Sequence, residues 1–446
     1  MPPLPLSTMP LLRTKKICLL TTLSLVGMLI ASCSTNPPTT QPNLPQTNLP
    51  LPPKGMTQPT PTRPPVVMPT SQPKLYPSFS AWKSDFVERA AAQGYNRADL
   101  QQLVNSAQYN EQVISQDKNQ AEFVKMPWEY VDGAVSGNRV QGGQRNYANQ
   151  QAVLMRAENQ YGVPASIVTA IWGMESSYGA GMGNSSLTSS LATLAYEGRR
   201  RSFAEEQLLA LLQLVERGDL DWSQLKGSWA GGMGHTQFIP KTWLVEGVDG
   251  DGDGKKSPFT SADALNSTAS YLSGAGWQRG LAPFYEVNLP TNFDYHNLNT
   301  KKTVAQWQRM GVQLLNPAPS DAVSELWLPA GKAGPALLLT KSFDAIKVYN
   351  NSANYALGVS LLARAIVGQG GLQHEFPRYE KPLYTYQITQ LQQRLTNLGF
   401  DTKGTDGILG TNTKLAFARW QSANGQTPDG FISQRTVATL MQEFTP

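Results

Sequence analysis

Glu175 is a residue whose type and setting could do chemistry. The sequence around it runs Ile171-Trp-Gly-Met-Glu-Ser-Ser-Tyr-Gly179, so one carboxyl group stands where an apolar segment ends. Apolar neighbours such as Trp172 and Met174 disfavour a charged carboxylate, and the negative end of a helix dipole does the same. Both effects raise the pKa of the carboxyl group. A carboxyl that stays protonated near neutral pH can act as the general acid in glycosidic bond cleavage, although a lone glutamate at a helix end is more often merely solvated.

The element that must position Glu175 is an apolar helix. Residues 163–172 read Val-Pro-Ala-Ser-Ile-Val-Thr-Ala-Ile-Trp, with apolar side chains at helical spacing. Pro164 stands at the start, where a helix tolerates proline, and Gly179 is the predicted stop. The spacing therefore predicts a helix that carries Glu175 near its C-terminal end.

Several further motifs follow in a fixed order. They are Tyr161-Gly-Val-Pro164, Thr193-Leu-Ala-Tyr-Glu-Gly-Arg-Arg200, Gly227-Ser-Trp-Ala-Gly-Gly-Met-Gly234, Gln237-Phe-Ile-Pro240 and Tyr349-Asn-Asn-Ser-Ala-Asn-Tyr355. From about Phe79 to Gly371 the chain resembles the membrane-bound lytic murein transglycosylase B family, which are glycoside hydrolases with a lysozyme-like helical catalytic domain. Several motifs in one order are more specific than any one of them.

The resemblance implies a set of site residues around the catalytic Glu175. Those that match positions in the family's substrate cleft are Tyr130, Ser228, Gln237, Tyr271, Tyr349, Asn350 and Tyr355. Arg199 and Arg200 match arginines near the stem peptide or the muramyl lactyl group, and their charge at a helix N-terminus is easier to understand beside an anionic ligand. An adjacent arginine pair is also often a solvated face. His235 matches no family role and is interpreted as an incidental surface histidine.

The segment Asp249-Gly-Asp-Gly-Asp-Gly-Lys255 has the alternating oxygen ligands of a calcium loop. A strict EF-hand fails, because its twelfth position is Thr260. The resemblance implies a longer loop closed by Asp263, with calcium held by the residues Asp249, Asp251, Asp253, Lys255 (through its carbonyl) and Asp263. A solvated turn without metal is the alternative. The ion would be structural, and bond cleavage is expected to require no cofactor.

Composition limits the class of protein. The chain has 446 residues and a formal net charge of +5, with a pI near 9.0. Its basic residues are scattered rather than gathered into an arm, so they do not indicate nucleic-acid binding, and an acidic cell-wall polymer fits the charge equally well. The two cysteines, Cys18 and Cys33, lie at the beginning, so no disulfide framework is expected in the mature domains.

Residues 1–33 resemble a bacterial lipoprotein signal peptide. A charged region with Arg13, Lys15 and Lys16 precedes an apolar run that is short for a membrane span, and Leu29-Ile-Ala-Ser-Cys33 matches the cleavage site. The resemblance implies a lipidated Cys33, and Ser34 suggests delivery to the periplasmic face of the outer membrane. An ordinary secretory signal with a chance cysteine is the alternative. Residues 34–77 are rich in Pro, Thr, Gln and Asn, which predicts a disordered tether.

We expect a mainly α protein: a lysozyme-like α(+β) catalytic domain over residues 78–375, followed by a small three-helix peptidoglycan-binding domain over residues 380–446. Helical spacing is seen near 79–87, 98–103, 150–157, 191–196, 203–215, 267–272 and 355–367, and residues 283–340 should hold short strands and helices. Asp406-Gly-Ile-Leu-Gly-Thr-Asn-Thr413 recurs in weaker form as residues 429–436. In each repeat Asp-Gly predicts a turn and Thr a helix cap.

The function implied is cleavage of the β-1,4 bond between N-acetylmuramic acid and N-acetylglucosamine in peptidoglycan, with a 1,6-anhydromuramyl product. The matched motifs contain no second acidic residue, whereas ordinary glycosidases use two. One alternative is a lysozyme-type muramidase, for which Asp219 and Asp221 are the nearest unassigned acids. A second is a non-catalytic lipoprotein that tethers peptidoglycan. The expected partners are glycan strands and the outer membrane, with other cell-wall enzymes as further candidates.

Overall fold

The computed structural model describes residues 75–118 and 125–442. The predicted signal peptide with Cys33, and all but the last residues of the predicted tether, lie outside this part of the chain. Within it, no helix combines the length and the apolar character that a membrane span requires.

Helices dominate the described residues, which confirms the mainly α class. In chain order they are α1 (Phe79–Ala92), α2 (Arg97–Asn105), α3 (Glu111–Lys118), α4 (Pro127–Ala134), α5 (Gly137–Asn149), α6 (Gln151–Tyr161), α7 (Ala165–Ser176), α8 (Leu187–Glu197), α9 (Arg201–Glu216), α10 (Pro240–Glu246), α11 (Ser261–Gly274), α12 (Val304–Arg309), α13 (Lys341–Tyr349), α14 (Ala353–Ile366), α15 (Thr385–Asn397), α16 (Thr411–Ala423) and α17 (Ala438–Gln442). Short 3₁₀ turns occur at Trp222–Gln224, Tyr295–Asn297 and Gly331–Ala333.

The strands form two small sheets. They are β1 (Ser185–Ser186), β2 (Lys226–Gly227), β3 (Phe284–Asn288), β4 (Lys301–Thr303), β5 (Gln313–Leu314), β6 (Val323–Trp327) and β7 (Ala336–Thr340). β1 pairs with β2, and the other five form an antiparallel sheet in the order β4-β6-β7-β3-β5. In its centre Glu325 pairs with Leu339 and Tyr285 with Leu338. The prediction of short strands and helices between residues 283 and 340 is confirmed.

Helix α7 is the central element of the catalytic part. Nine of its twelve residues are buried, and it packs against α14, α5 and α6. Val168 and Ile171 are fully buried in one core with Leu265 of α11 and Leu357 of α14. Because α7 is enclosed almost all round, its direction is fixed by packing, and the position of its last turn is fixed with it.

Polar caps set where several of the surrounding helices begin. The Ser78 hydroxyl accepts from the Ala81 N–H at 3.1 Å to start α1, and Asn96 accepts from the Ala98 N–H at 2.8 Å to start α2. Ser352 accepts from the Tyr355 N–H at 3.2 Å at the start of α14. Each cap satisfies a backbone donor that the first helical turn leaves without an intrahelical partner.

The last 60 or so described residues form a separate small core, in which α15, α16 and α17 bury Leu391, Phe417 and Leu440. The predicted repeat has a structural counterpart. The Gln392 side chain donates to Asp406 and accepts from the Gly407 N–H, each at 2.9 Å. Gln421 makes the same two contacts with Asp429 and Gly430, at 3.1 and 2.9 Å.

The prediction that threonines cap the two repeat helices is wrong for Thr413. The N-cap of α16 is Gly410, and Thr413 lies inside the first turn with its hydroxyl accepting from Gln392 at 3.0 Å. In the second repeat the Thr436 hydroxyl donates to the Phe431 carbonyl at 2.8 Å, two residues before α17 begins. The hydroxyls of Thr413 and Thr436 therefore stabilise the Asp-Gly turns, because each turn packs against the helix that follows it.

The C-terminal core also contacts the strand-bearing region. The Lys332 N–H donates to the Asp429 carboxylate at 2.9 Å, and Lys332 Nζ donates to Thr427 at 2.8 Å. Phe431 packs on a small buried cluster that includes Trp128 and Ala330. The second Asp-Gly turn therefore lies against the turn at residues 331–333.

Candidate active site

Glu175 lies in the last turn of α7. The helix ends at Ser176, and Ser177, Tyr178 and Gly179 then adopt left-handed backbone conformations with φ of 51, 62 and 87°. Left-handed conformations are uncommon for residues other than glycine, and two in succession indicate a turn that its surroundings hold in place. The predicted stop at Gly179 therefore comes two residues late, because Ser177 already turns the chain.

Tyrosines from three helices lie around the Glu175 side chain, which is partly buried. The Tyr355 hydroxyl of α14 donates to Glu175 Oε1 at 2.7 Å. Burial raises the pKa of Glu175 from 4.5 to about 7, against the lowering effect of that hydrogen bond. The direction predicted from the sequence is confirmed. Since 7 lies near the pH of physiological media, a large fraction of this carboxyl carries a proton there.

Tyr130 and Tyr349 also face this carboxyl. Burial, and after it the charge of Glu175, raises the pKa of Tyr130 to about 12. The same two causes raise the pKa values of Tyr349 and Tyr355 well above the ordinary tyrosine value. All three phenols therefore stay protonated and can donate hydrogen bonds. Helices α4, α13 and α14 bring together three tyrosines that the sequence predicted for one cleft.

Tyr271 packs against Tyr349, one of these three tyrosines. Its ring contacts those of Phe238 and Tyr349, at centroid distances of 5.5 and 5.8 Å. Tyr349 in turn donates its hydroxyl to the Thr236 carbonyl. The next residue, Asn350, caps the end of α13 with its backbone N–H on the Ile346 carbonyl at 3.3 Å. Tyr271 thus supports a cleft wall through Tyr349.

The glycine-rich segment brings Ser228 and Gln237 together. A Cβ on Gly232 would lie 2.7 Å from Gln237 Oε1 and 3.0 Å from Ser228 Oγ, so a larger residue there would displace these side chains. Gln237 Nε2 donates to the carbonyls of Met182 and Gly234 at 3.1 and 2.8 Å. Both amide hydrogens of Gln237 are thus used inside the protein. In this arrangement the Oε1 atom of Gln237, rather than its amide hydrogens, is the atom that remains for a ligand.

Arg199 and Arg200 have an anionic partner inside the protein. The guanidinium groups of both contact the buried carboxylate of Asp117 on α3. The Arg200 guanidinium also lies over the Phe203 ring, 4.6 Å from its centroid. The cations at the start of α9 are therefore explained without a ligand. The Arg199 side chain remains 59% exposed and could still meet one.

His235 is not the incidental surface histidine that the sequence suggested. The Trp172 indole donates to His235 Nδ1 at 3.0 Å, and the Ser176 hydroxyl donates to the His235 carbonyl at 2.5 Å. No local pattern indicates this contact, since Trp172 and His235 are 63 residues apart. The nearest sequence signal is the glycine-rich segment itself, in which Gly234 adopts a left-handed φ of 64°.

Three of the predicted metal ligands converge. Carboxylate oxygens of Asp249, Asp251 and Asp263 all lie within 4.8 Å of one another. Asp263 is 1% exposed, and its carboxylate accepts from the N–H groups of Gly250 and Ser257 at 2.7 and 2.8 Å. Converging carboxylates, one of them buried, are the hard oxygen donors that calcium takes, so these residues fit the ion.

Of the other two predicted ligands, Asp253 and Lys255, the Asp253 carboxylate lies outside that cluster. Both are exposed, and the Asp253 carboxylate accepts from the Lys255 N–H at 2.8 Å. That hydrogen bond turns Asp253 toward its own loop rather than toward Asp263.

No second acid contributes to the pKa shift of Glu175 among the described residues. Its causes are burial of the carboxyl and the hydrogen bond from Tyr355. Asp219, one of the two unassigned acids, accepts from the Lys256 N–H at 3.0 Å.

Comparisons with known proteins agree with this geometry. The transglycosylase SLT domain model matches residues 78–364, and a peptidoglycan binding domain model matches residues 385–440. The membrane-bound lytic murein transglycosylase B of Escherichia coli strain K12 is 31% identical over 290 residues, which are 61% of this chain and 79% of that protein.

Solved structures give the same result. SltB3 from Pseudomonas aeruginosa in complex with NAG-anhNAM-pentapeptide matches with a TM-score of 0.79 and 42% identity, over 82% of this chain and all of that one. The Escherichia coli lytic transglycosylase Slt35 in complex with calcium matches with a TM-score of 0.57 and 27% identity, over 64% of this chain and 92% of that one. The chain therefore belongs to the transglycosylase SLT domain family, has the lysozyme-like fold of that family with a C-terminal peptidoglycan-binding domain, and is a lytic transglycosylase that cleaves glycosidic bonds of peptidoglycan.

Proposed function

We propose that Glu175 alone supplies the proton transfers of this reaction. The observation that carries the proposal is a single enclosed carboxyl with a pKa raised to about 7 and a tyrosine hydroxyl 2.7 Å from its Oε1 atom. In the first step the protonated Glu175 donates its proton to O4 of the N-acetylglucosamine residue as the bond from C1 of N-acetylmuramic acid breaks. The substrate's own acetamido oxygen stabilises the positive charge at C1, so no second protein carboxylate is needed.

The second step returns Glu175 to its starting state. Glu175, now a carboxylate, takes the proton of the C6 hydroxyl while O6 bonds to C1 and displaces the acetamido oxygen. The product is a 1,6-anhydromuramyl end, and no water is consumed. The Tyr355 hydroxyl donates to Glu175, so it stabilises the carboxylate that exists between the two steps.

The tyrosines and the glycine-rich segment would form the walls that hold the glycan. Tyr130 would offer an apolar face and a hydroxyl group, and Tyr349 an apolar face, to pyranose rings, which have apolar faces and hydroxyl rims. The Gln237 Oε1 atom and the Ser228 hydroxyl can accept or exchange hydrogen bonds with acetamido or hydroxyl groups of a sugar. Asn350 adds an amide beside Tyr349. Arg199, exposed on one side of Asp117, is placed to meet a substrate carboxylate.

The experiment that tests the mechanism is mass spectrometry of products released from purified cell walls. The wild-type chain should release muropeptides that are one water lighter than reducing-end fragments. Glu175→Gln should lower the rate by about 10²–10⁴-fold, which is the usual contribution of a general acid and base. Glu325→Gln, on a strand of the larger sheet, is the matched control and should keep the wild-type rate. Reducing-end products would establish the lysozyme-type alternative, and binding without release by either protein would establish the tethering role.

We also propose that Asp249, Asp251 and Asp263 bind calcium, with Asp253 and the Lys255 carbonyl completing the site when the loop closes on the ion. The convergence of three carboxylates supports this, as does the calcium named in the Slt35 complex. The ion would neutralise the repulsion among these charges and fix the loop. Isothermal titration calorimetry of metal-stripped protein should show uptake of one calcium ion, and absence of heat would favour the solvated turn.

A third proposal concerns location and layout. We propose that residues 1–33 are removed as a lipoprotein signal, that a lipidated Cys33 anchors the chain to the outer membrane, and that residues 34–77 tether a catalytic domain of 78–375 and a peptidoglycan-binding domain of 380–446. The segment Leu29-Ile-Ala-Ser-Cys33 supports this, together with the membrane-bound relative in Escherichia coli. Cys33→Ala should release the protein from the outer-membrane fraction, and retention there would contradict the anchor.

A further inference from the structure

We propose that His235 is a positioning residue for Glu175, and that it acts only as a neutral ring that accepts a hydrogen bond from Trp172. The inference rests on the proposed role of Glu175. The Trp172 Nε1 atom donates to His235 Nδ1 at 3.0 Å, and an indole N–H can only donate. The His235 ring must therefore carry its proton on Nε2. A doubly protonated ring would place two N–H groups against each other.

The contacts of His235 lie on both sides of the catalytic residue. Trp172 is one helical turn before Glu175, and Ser176 follows it directly. The Ser176 hydroxyl donates to the His235 carbonyl at 2.5 Å and accepts from the Gly179 N–H at 2.9 Å. His235 thus contacts the end of α7 twice: its ring accepts a hydrogen bond from Trp172, and its backbone carbonyl accepts one from Ser176.

The fit around the ring is close. A Cβ on Gly179 would lie 2.6 Å from ring atoms of His235, and the Trp172 and His235 rings meet edge to face at a centroid distance of 5.5 Å. The His235 N–H also donates to the Pro258 carbonyl at 3.0 Å, which links this segment to the loop that precedes α11. The ring therefore fills the space between the left-handed turn at 177–179 and the glycine-rich wall.

The titratable groups on the elements around the ring have their own partners. Glu175 is bonded by Tyr355, the Tyr178 hydroxyl donates to the Arg139 carbonyl, and Tyr349 donates to the Thr236 carbonyl. On the loop side, Asp263 accepts two backbone N–H bonds and the Lys256 N–H is bonded to Asp219. Burial lowers the pKa of His235, and a hydrogen bond to the Phe259 backbone opposes that effect. The neutral ring is thus the favoured form.

The test uses four variants of the whole chain with glycan cleavage as the readout. His235→Ala removes the acceptor, His235→Asn keeps an acceptor near the Nδ1 position, and Trp172→Phe removes the donor. We expect His235→Ala and Trp172→Phe each to lower kcat by about tenfold at unchanged KM, because a misplaced general acid loses rate rather than affinity. His235→Asn should keep at least about half of the wild-type kcat. The fourth variant combines His235→Ala with Trp172→Phe. Because both changes remove the same hydrogen bond, its kcat should be no lower than that of the slower single variant.

His296→Asn is the matched control, since that histidine is exposed and lies on the short 3₁₀ turn at 295–297. Thermal midpoints measured alongside separate loss of kcat from loss of fold, and Trp172→Phe tests the same bond if His235→Ala does not fold. Wild-type kcat in His235→Ala, equal damage in the Asn and Ala variants, or multiplied losses in the double variant would each overturn the proposal.

A pH profile gives an independent readout. Protonation of His235 breaks the Trp172 hydrogen bond, so wild-type kcat/KM should fall on the acid side of the ordinary histidine pKa, and the fall should be absent in His235→Asn. An unchanged acid limb in that variant would contradict the requirement for a neutral ring. Cleavage is counted whichever product forms, while the product mass tests the 1,6-anhydro reaction. Failure of the Glu175 mechanism and failure of the His235 proposal are thus distinguished.

Discussion

The end of α7 and the loop at residues 249–263 hold the same functional group in opposite surroundings. At Glu175 burial dominates, and the pKa of the carboxyl rises to about 7. At Asp249 desolvation also acts to raise the pKa, but backbone N–H groups of four loop residues, Gly254 and Gly252 foremost, together outweigh it, and the pKa lies below its ordinary value. One carboxyl is made ready to exchange a proton, and the other is held ionised.

The difference comes from backbone geometry. The Asp/Gly loop turns its N–H groups toward Asp249, with hydrogen bonds of 2.6 Å from Gly252 and 2.9 Å from Gly254. A helix C-terminus has no such donors to offer, because its exposed backbone groups are carbonyls. Glu175 therefore receives one side-chain hydroxyl, from Tyr355, and no compensation for its burial beyond that bond. At Asp249 and Glu175 the opposite pKa shifts follow from where backbone donors lie, whereas burial raises the pKa of Asp263 even though its carboxylate accepts two backbone N–H bonds.

The largest expected effect is the pH dependence of cleavage. Because Glu175 must be protonated to donate, kcat/KM should fall as pH rises through about 7, the value that burial gives its pKa. Above that value the fall is about tenfold per pH unit, so the rate at pH 9 should be about 100-fold lower than the plateau. Steady-state kinetics with soluble glycan fragments measures this. A rate that stays level to pH 9 would contradict a general acid at Glu175.

Asp263→Asn should lower the affinity of the Asp/Gly loop for calcium. The change removes one charged oxygen from the converging carboxylates, and calcium affinity should fall by at least about tenfold. Calorimetry of metal-stripped protein measures the affinity, with Asp321→Asn as the matched variant because Asp321 is an exposed aspartate that is not among the proposed ligands. Equal calcium affinities of the two variants would show that Asp263 does not bind the ion.

Tyr355→Phe should have a smaller effect. It removes a hydrogen-bond donor from Glu175 and so tests whether donors lower a carboxyl pKa there as they do at Asp249. The Tyr355 hydroxyl lowers the pKa of Glu175 by hydrogen bonding to its carboxylate. Without it the pKa rises, so the fall in kcat/KM should move to higher pH, while the maximal rate drops a few-fold because the carboxylate between the two steps loses a donor. The profile of the variant is compared with that of Tyr384→Phe, which lies in the C-terminal module. A limb that moves to lower pH would contradict this role.

The smallest expected effect concerns stability. An acid whose folded pKa is raised from 4.5 to about 7 binds more protons in the folded state, so the wild type loses stability as pH rises between those values. Gln cannot ionise. Glu175→Gln should therefore match the wild type near pH 4.5 and exceed it at pH 8, by on the order of 1–3 kcal/mol in the free energy of unfolding. Thermal midpoints of both proteins across this range test the sign, and a variant that is less stable at pH 8 would contradict the burial of this charge.

Local sequence was sufficient for much of the fold. The apolar spacing before Glu175 predicted α7, and the spacing at 79–87, 203–215 and 355–367 predicted α1, α9 and α14. These helices could be predicted because each carries a continuous apolar face, and such a face depends only on residues three and four positions apart. The stop of α7 was predicted at Gly179, two residues late, because Ser177 already adopts a left-handed conformation that its local sequence did not indicate.

Part of the candidate site could be predicted from the sequence. Enclosure of Glu175 could be inferred from Trp172 and Met174, its neighbours in sequence. The hydrogen bond from Tyr355, which is 180 residues away, entered only through resemblance to a family. The position of Arg199 beside a helix N-terminus suggested an anionic ligand. Its partner inside the protein, Asp117, lies 82 residues earlier and could not be identified from local sequence. The role of His235 was missed for the same reason.

By itself, the sequence determined which helices form, where a single carboxyl meets apolar neighbours, and which Asp/Gly turns could gather carboxylates, because these depend on contacts within a few residues. Only the tertiary structure decided that α4, α13 and α14 surround that carboxyl with tyrosines, that the strands pair in the order β4-β6-β7-β3-β5, and that His235 lies against Trp172. Those choices depend on how buried faces pack together over distances that local spacing does not encode.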